Sequence, residues 1–238
     1  MSKEIEIESP FGFDDLRENY PELVTLDKEK DEVKTMISTV KKGLQEIYDK
    51  VKGTESDGWK ETYNKKGLIK KVKDIDNIHY VRGEGTIHAS PEEIIRLIGD
   101  IRLRSKWDKT GDFNTGTVLG EVTEWATLSR VLFNGQFMVQ QRDFVLAGGY
   151  TKIEKDYMMV ARSVEYSGYG EQKKTTRAKL HSSDWYLTPN EEGTECHAIY
   201  IAAFDLCGRI PQKITNRVCN SQPELVTMVD NYFKKIKK

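Results

Sequence analysis

The final stretch of the chain, Pro211 to Lys238, restricts the possible folds more than any other. Ile214, Val218, Leu225, Val229, Phe233 and Ile236 recur in it at helical spacings and form one broad apolar face. An apolar face of this length has to be covered, so the rest of the chain must supply a surface that receives it. Pro211 suits the start of the helix, where its fixed φ helps and its missing N–H costs nothing. Pro223 interrupts the pattern, which predicts two helical pieces joined at a kink near residues 220–222. The segment AFDLCGRIP at 203–211 delivers the helix through a turn that Asp205 and Gly208 can make.

Upstream, Val33, Met36, Ile37, Val40, Leu44, Ile47, Tyr48 and Val51 follow a helical period between about residues 27 and 52, and Gly53 ends it. GWKETY at 58–63 and LIKKV at 68–72 read as a hairpin joined by residues 64–67, and IHYVRGEGTIHA supplies a third strand. The GEG within that strand opens no helix, so it marks tight packing and not a phosphate loop. Ser90, Pro91 and Glu93 form a capping box for a short helix ending near Gly99. After IRLRSKWD come six β-like segments, from TGTVLGEVT to ECHAIYIAAFD, with turn signals at Gly149, 155–156, 168–170 and 189–193. Such a run predicts an antiparallel meander that curls, with the terminal helix closing its open side: an α+β fold.

Composition narrows the function classes. The chain has 238 residues, 37% of them apolar, enough for one large domain with an extension. The expected division is an acidic N-terminal arm at 1–24, carrying Phe11, Phe13 and Tyr20, and a domain at 25–238. A net charge of -1 gives no global field for nucleic acid. No apolar run reaches the length of a membrane span and the acidic start lacks a leader's apolar core, so a cytoplasmic protein is expected, and a monomer, since no coiled-coil heptad is present. Cys196, Cys207 and Cys219 are odd in number and form no CxxC pair, which points to reduced thiols. His79, His88, His181 and His197 lack metal-ligand spacing, and no GxSxG, HExxH or P-loop occurs, so no catalytic group, metal or cofactor is expected. From Pro211 onwards six cations face two anions, and Lys234, Lys235, Lys237 and Lys238 cluster at the end. That cluster suits transient contact with an anionic membrane, or complements the helix dipole.

Six strings in order, RSKWD at 104–108, QRDFV at 141–145, VARS at 160–163, EQKKTTRAK at 171–179, WYLTP ending at 189 and FDLCGRIP at 204–211, resemble the START (StAR-related lipid transfer) domain family over about Gly58 to Lys238. The resemblance implies a helix-grip fold, in which a curved antiparallel sheet wraps a long C-terminal helix around a tunnel for one lipid, with an N-terminal helix and one or two short helices inserted. It implies that Phe133 to Gln141 is an Ω-loop lid with Phe137 and Met138 at its tip. Arg104 falls where phosphatidylcholine-transfer members contact the lipid phosphate, a role its planar fork suits, although Asp108 offers a structural partner. Ser129, Phe144, His181 and Ser183 fall at headgroup positions, without the aromatic cage a quaternary ammonium needs. Leu146, Ile214, Val218 and Leu225 are expected in the tunnel wall. Gly148, with Leu128 or Ser129, replaces the ion pair of sterol-binding members. Arg162 and Arg177 are candidates to face the tunnel, with an outer salt bridge the more expected for Arg177, while Arg142 and Asp143 are expected to pin a loop. The implied activity is non-enzymatic binding and transfer of one lipid, a glycerophospholipid before a sterol or sphingolipid. The alternatives from other classes are a thioesterase-like helix-grip hydrolase and a ligand-sensing adaptor.

Overall fold

The computed structural model describes residues 23–53, 56–135 and 140–237. The first helix, α1, spans Asp31–Val51. Three strands follow: β1 (Lys60–Lys65), β2 (Leu68–Ile75) and β3 (Ile78–Ile87). Next come α2 (Pro91–Gly99), a 3-10 turn (Ile101–Leu103) and the single-turn α3 (Arg104–Trp107). The meander comprises β4 (Phe113–Thr123), β5 (Ala126–Phe133), β6 (Gln141–Ile153), β7 (Asp156–Ser163), β8 (Thr175–Arg177), β9 (Lys179–Pro189) and β10 (Cys196–Asp205). The chain closes with α4 (Gln212–Ser221), a 3-10 turn (Gln222–Glu224) and α5 (Leu225–Ile236).

These strands form one sheet in the order β1-β2-β3-β10-β9-β7-β6-β5-β4, antiparallel along that path, with the short β8 added parallel to β6. The curved sheet, the N-terminal helix and the C-terminal helices together make the expected helix-grip fold. The first hairpin turns at Lys66 and Gly67, both at positive φ (55° and 77°), which matches the twist of its strands. The capping box is formed, since Ser90 Oγ accepts from the Glu93 N–H at 3.3 Å while Glu93 Oε2 accepts from the Ser90 N–H at 2.8 Å. Gly149, expected to mark a turn, lies inside β6. A Cβ there would stand 2.6 Å from Val40 Cγ1, so the glycine admits α1.

Each face of the sheet has its own apolar cluster. On the outer face, Val33, Met36, Val40, Leu44 and Ile47 of α1 pack on Leu128, Val145, Ala147, Met158, Val160, Tyr186, Ile199 and Ile201. On the inner face, Leu225, Val226, Val229 and Phe233 of α5 pack with Trp107, Trp185, Tyr200 and the apolar side of α2. The terminal helix breaks as Pro223 predicts, with a 3-10 turn where the proline lacks an N–H. Pro211 sits one place before the helix, as the cap of α4. No helix of the described residues is long and apolar enough to cross a membrane.

Arg162 is the largest departure from the expected arrangement. It lies on the outer face among the α1 contacts, so the tunnel-facing place expected for it is corrected. Residues alternate sides along β7, and Met158 and Val160, on the same side as Arg162, belong to the outer cluster. Its guanidinium donates through Nη1 to Asp184 and through Nη2 to Asp184 Oδ2 at 2.9 Å and Glu46 Oε2 at 3.1 Å. Burial pushes the Arg162 pKa down, but Asp184 and Glu46 outweigh it, so the group is held protonated. Gly43 of α1 makes room for this pair, because a Cβ there would lie 3.2 Å from the guanidinium carbon. Arg177 also serves the fold, donating from Nε to Asp143 Oδ1 at 3.1 Å. Removing one partner of a buried pair leaves an uncompensated charge, whereas removing both does not. Asp184→Asn is therefore expected to lose about 3–5 kcal/mol in urea unfolding, and Arg162→Met/Asp184→Leu clearly less. Equal losses for the two variants would show that the pair does not set the stability of this face.

Candidate functional site

Ser129, Phe133, Phe144 and Leu146, four of the residues that the family resemblance assigns to a lipid, share the inner face of β5 and β6. In β5 and β6 the register pairs Ser129 with Leu146 and Val131 with Phe144, so these side chains share one face. Val131, Phe144, Leu146 and Ala178 form a separate small cluster, joined by Ile101, Phe113, Phe133, Ala161, Leu180 and Phe204. Phe133 meets Phe113 and Phe144 edge to face, with ring centroids 6.1 and 5.7 Å apart. Phe204 also packs against the larger inner cluster, and so joins this patch to the one that α5 covers. Gly148 pairs with Thr127 on the same face, so no arginine stands there.

Arg104, the first residue of α3, borders this patch. Its Nε donates to Asp108 Oδ2 at 2.7 Å, and the guanidinium stands 5.2 Å from the Phe133 ring centre and 5.6 Å from those of Phe113 and Trp107. Among the described residues, no hydrogen bond to its two Nη groups is found. Asp108 also accepts from the N–H and hydroxyl of Thr110, at 2.9 and 2.7 Å. Burial pushes the Asp108 carboxyl up, but Arg104 and Thr110 outweigh it and hold the carboxyl below its usual range. The carboxylate thus fixes one edge of the fork and leaves the other edge without a partner among the described residues.

Ser183 faces inward on β9, and its hydroxyl lies 3.0 Å from that of Tyr200 on β10. Tyr200 stacks on Trp185 at 4.6 Å between centroids, and burial pushes its phenol up, keeping it neutral. His181 does not join this row. A register shift between Ala203 and Phe204 leaves it at a bulge, where Leu180 takes the inner position. Burial first, then Lys179, pushes the His181 pKa down, and Arg162 of the outer face acts on it in the same direction. His181 is thus the unpaired residue of the bulge, and not part of the regular inward alternation of Ser183 and Trp185.

The closing helix divides unequally. Leu225 is buried in the core, Val218 is half-buried, and Ile214 is 41% exposed in the first turn of α4. Cys219 is the buried member of α4; burial pushes its thiol up to about 11, partly offset by the Phe204 backbone. Phe137 and Met138 lie outside the described residues. The base of their loop is nonetheless defined, because Arg142 donates to the carbonyls of Gln140, Leu206 and Cys207 at 2.6, 2.9 and 3.2 Å. Two of the tail cations are engaged, Lys234 with Asp230 at 2.8 Å and Lys237 with Glu93 at 2.9 Å. No group of side chains able to hold a metal ion occurs among the described residues.

Sequence reasoning missed Tyr200, Leu180, Phe113 and Phe204. Tyr200 was legible, because strict alternation through Cys196, Ala198, Tyr200 and Ala202 puts it on one face with Ala202. Leu180 was not, because the bulge that turns it inward leaves no sign in the sequence.

Comparison with known proteins agrees with the fold. Human STARD10 matches with a TM-score of 0.72 and 17% identity, over 91% of this chain and 83% of that one. Human StAR-related lipid transfer protein 5 matches with a TM-score of 0.71 and 20% identity, over 87% of this chain and 98% of that one. A fragment of a STAR-related lipid transfer protein from Xanthomonas axonopodis matches at 0.66 and 18%, over 75% of this chain and 99% of the fragment. No curated protein sequence matches significantly. At these identities the solved structures speak for the fold, while the family model for the START domain matches residues 40–228 of the sequence itself. With most of its length under that model, the chain belongs to the START domain family.

Proposed function

We propose that the protein binds one lipid, a glycerophospholipid, on the inner face of the sheet, and carries it between membranes without chemistry. The observation that carries this reading is Arg104, whose Nε is fixed by Asp108 while neither Nη group has a hydrogen-bond partner among the described residues, beside aromatic rings. A guanidinium held in this way offers two parallel donors to a phosphate and pays little entropy on binding it. Ser129 and the Ser183–Tyr200 hydroxyls supply neutral hydrogen-bonding groups nearby. Phe133, Phe144, Leu146, Val218 and Leu225 supply apolar wall for acyl chains, each buried methylene contributing about 0.8 kcal/mol. Phe137 and Met138 complete the reading as the tip of the lid, which leaves Arg162 and His181 out of the binding set. The names of STARD10's companions among the matched structures, StAR-related lipid transfer proteins, support a lipid as the ligand. In this reading the protein is a cytoplasmic monomer that touches membranes transiently.

Arg104→Lys keeps the pairing with Asp108 but loses the fork. Retention of phospholipid, read by native mass spectrometry after incubation with phosphatidylcholine–phosphatidylethanolamine vesicles, is expected to fall about tenfold or more, with an unchanged thermal melt. Unchanged retention would remove Arg104 from the site.

Lys213 and Arg217 are exposed on α4 beside Ile214, unlike the engaged Lys234 and Lys237. Binding to phosphatidylserine vesicles is expected to weaken steeply with salt, and Lys213→Gln/Arg217→Gln to remove more of that dependence than Lys234→Gln/Lys237→Gln. The opposite ranking would return membrane contact to the tail.

A further inference from the structure

Trp107, the last residue of α3, brings a second donor to the turn that carries Arg104. It is 4% exposed, and its Nε1–H has no hydrogen-bond partner among the described residues. A buried indole N–H ordinarily finds an acceptor, because it gives up its hydration on burial. The ring lies in the inner-face cluster with Trp185 and Tyr200, and the Arg104 guanidinium stands 5.6 Å from its centre. In the same cluster the hydroxyls of Tyr200 and Ser183 are 3.0 Å apart; whichever donates to the other, the second keeps its own hydrogen for a third group. Burial pushes the Tyr200 phenol up while the Arg104 charge pulls against it, so the phenol is neutral and lies within the field of the guanidinium.

The acceptors beside these donors are already engaged. Asp108 Oδ2 receives the Arg104 Nε–H, and Oδ1 receives the N–H and hydroxyl of Thr110. Asp184, the other carboxylate that acts on Tyr200, is held by Arg162 and Ser182. The rings of Phe133, Phe113 and Trp107 already face a cation, since the Arg104 guanidinium stands 5.2, 5.6 and 5.6 Å from their centres. A headgroup ammonium placed among these groups would meet a fixed positive charge, with neither an open carboxylate oxygen nor a ring of its own to offset the repulsion.

Resting on the reading of Arg104 as a phosphate ligand, we propose that the site selects a lipid phosphate monoester, the phosphatidate class, and that Trp107 Nε1 is the donor that tells it from a diester. A phosphate monoester at neutral pH carries about 1.5 to 2 negative charges on three terminal oxygens, with no cation attached. Two of those oxygens suit the parallel Nη edge of Arg104. The third accepts from the indole N–H, with the spare hydrogen of the Ser183–Tyr200 pair as a further donor. A phosphodiester has only two terminal oxygens, so it satisfies the fork and leaves the indole without an acceptor of that kind. Phosphatidylmethanol shares with phosphatidate the lack of a cation but not the third oxygen, while phosphatidylcholine and phosphatidylethanolamine lack the oxygen and add the cation.

The full-length protein is incubated with vesicles holding equal amounts of phosphatidate, phosphatidylmethanol, phosphatidylcholine and phosphatidylethanolamine with the same acyl chains, and the lipid it retains is identified by native mass spectrometry. Retained phosphatidate is expected to exceed phosphatidylmethanol about threefold to tenfold, and the two zwitterionic lipids by more. Trp107→Phe keeps an aromatic ring and removes the N–H, and is expected to bring phosphatidate and phosphatidylmethanol close to parity; Tyr200→Phe is expected to lower their ratio by less. The preference of the unaltered protein is read without either variant, so a variant that fails to fold still leaves the proposal open to refutation. Lipid retained with phosphatidate at or below any of the other three overturns the proposal and leaves the binding reading standing. An unchanged ratio in folded Trp107→Phe overturns it as well, since the indole would then take no part in the choice. Retention of no lipid at all removes the binding reading, and the selectivity with it.

Discussion

The helical hinge at Gln222–Glu224 comes down on β3 where no side chain fits between them. A Cβ at Gly83 would stand 2.6 Å from the Pro223 carbonyl oxygen, and one at Gly85 would stand 2.8 Å from the Gly67 carbonyl oxygen and 3.3 Å from Val226. This contact fixes the height of the terminal helix above the sheet. Everything after it, from Leu225 to Phe233, is pressed into the inner core, while the ten residues of α4 before it extend over the strands with less support. The glycines read in the sequence as tight packing are therefore what allows one helix to be half anchor and half cover.

The opposite face is held by a different kind of force. Apolar contacts between α1 and the sheet are non-directional, and by themselves they allow a helix to slide or rotate. The Arg162 fork, aimed at Asp184 below and Glu46 above, permits one placement of α1, and Gly43 opens the space that placement needs. Ser182 adds a further hydroxyl to Asp184. An ion pair taken out of water adds little net stability, so its contribution here is to the specificity of the docking. Both faces of the sheet thus use a glycine at the point of closest approach, one to admit backbone and one to admit a guanidinium.

Periodicity made the helices and the order of the strands legible, because each apolar stripe must be buried whatever partner covers it. Ser90 to Glu93 and Pro223 were equally plain, since caps and prolines act through local backbone chemistry. Which side of a strand faces the ligand was less plain. Met158, Val160 and Arg162 alternate correctly along β7, but alternation cannot say which of the two faces is the inner one when both are covered by helices. At His181 even alternation failed, because a single extra residue opposite Ala203 and Phe204 reverses the sides. Gly149 was misread for a related reason, as a glycine in a strand looks the same whether the chain turns or another element presses close. Arg104 was identified from its place before WD, yet its aromatic surroundings come from β4 and β5 and required the fold.

The same constraint explains why the candidate site lies where it does. In the proposed reading the site has to open, and such a site cannot be as well packed as the core, since every apolar contact it makes has to be broken for exchange. The anchored half of the helix lies over Trp185, Tyr200 and Trp107, where large side chains fill the space. The less buried half lies near Phe204, beyond which the inner face carries Ser129, Leu146, Phe144 and Phe133. Arg142 ties the start of β6 to the turn before α4, donating to the carbonyls of Gln140, Leu206 and Cys207. Deep packing at one end of the terminal helix is thus the condition for shallow packing at the other, and Arg104, fixed on one edge by Asp108, stands at the border between the two.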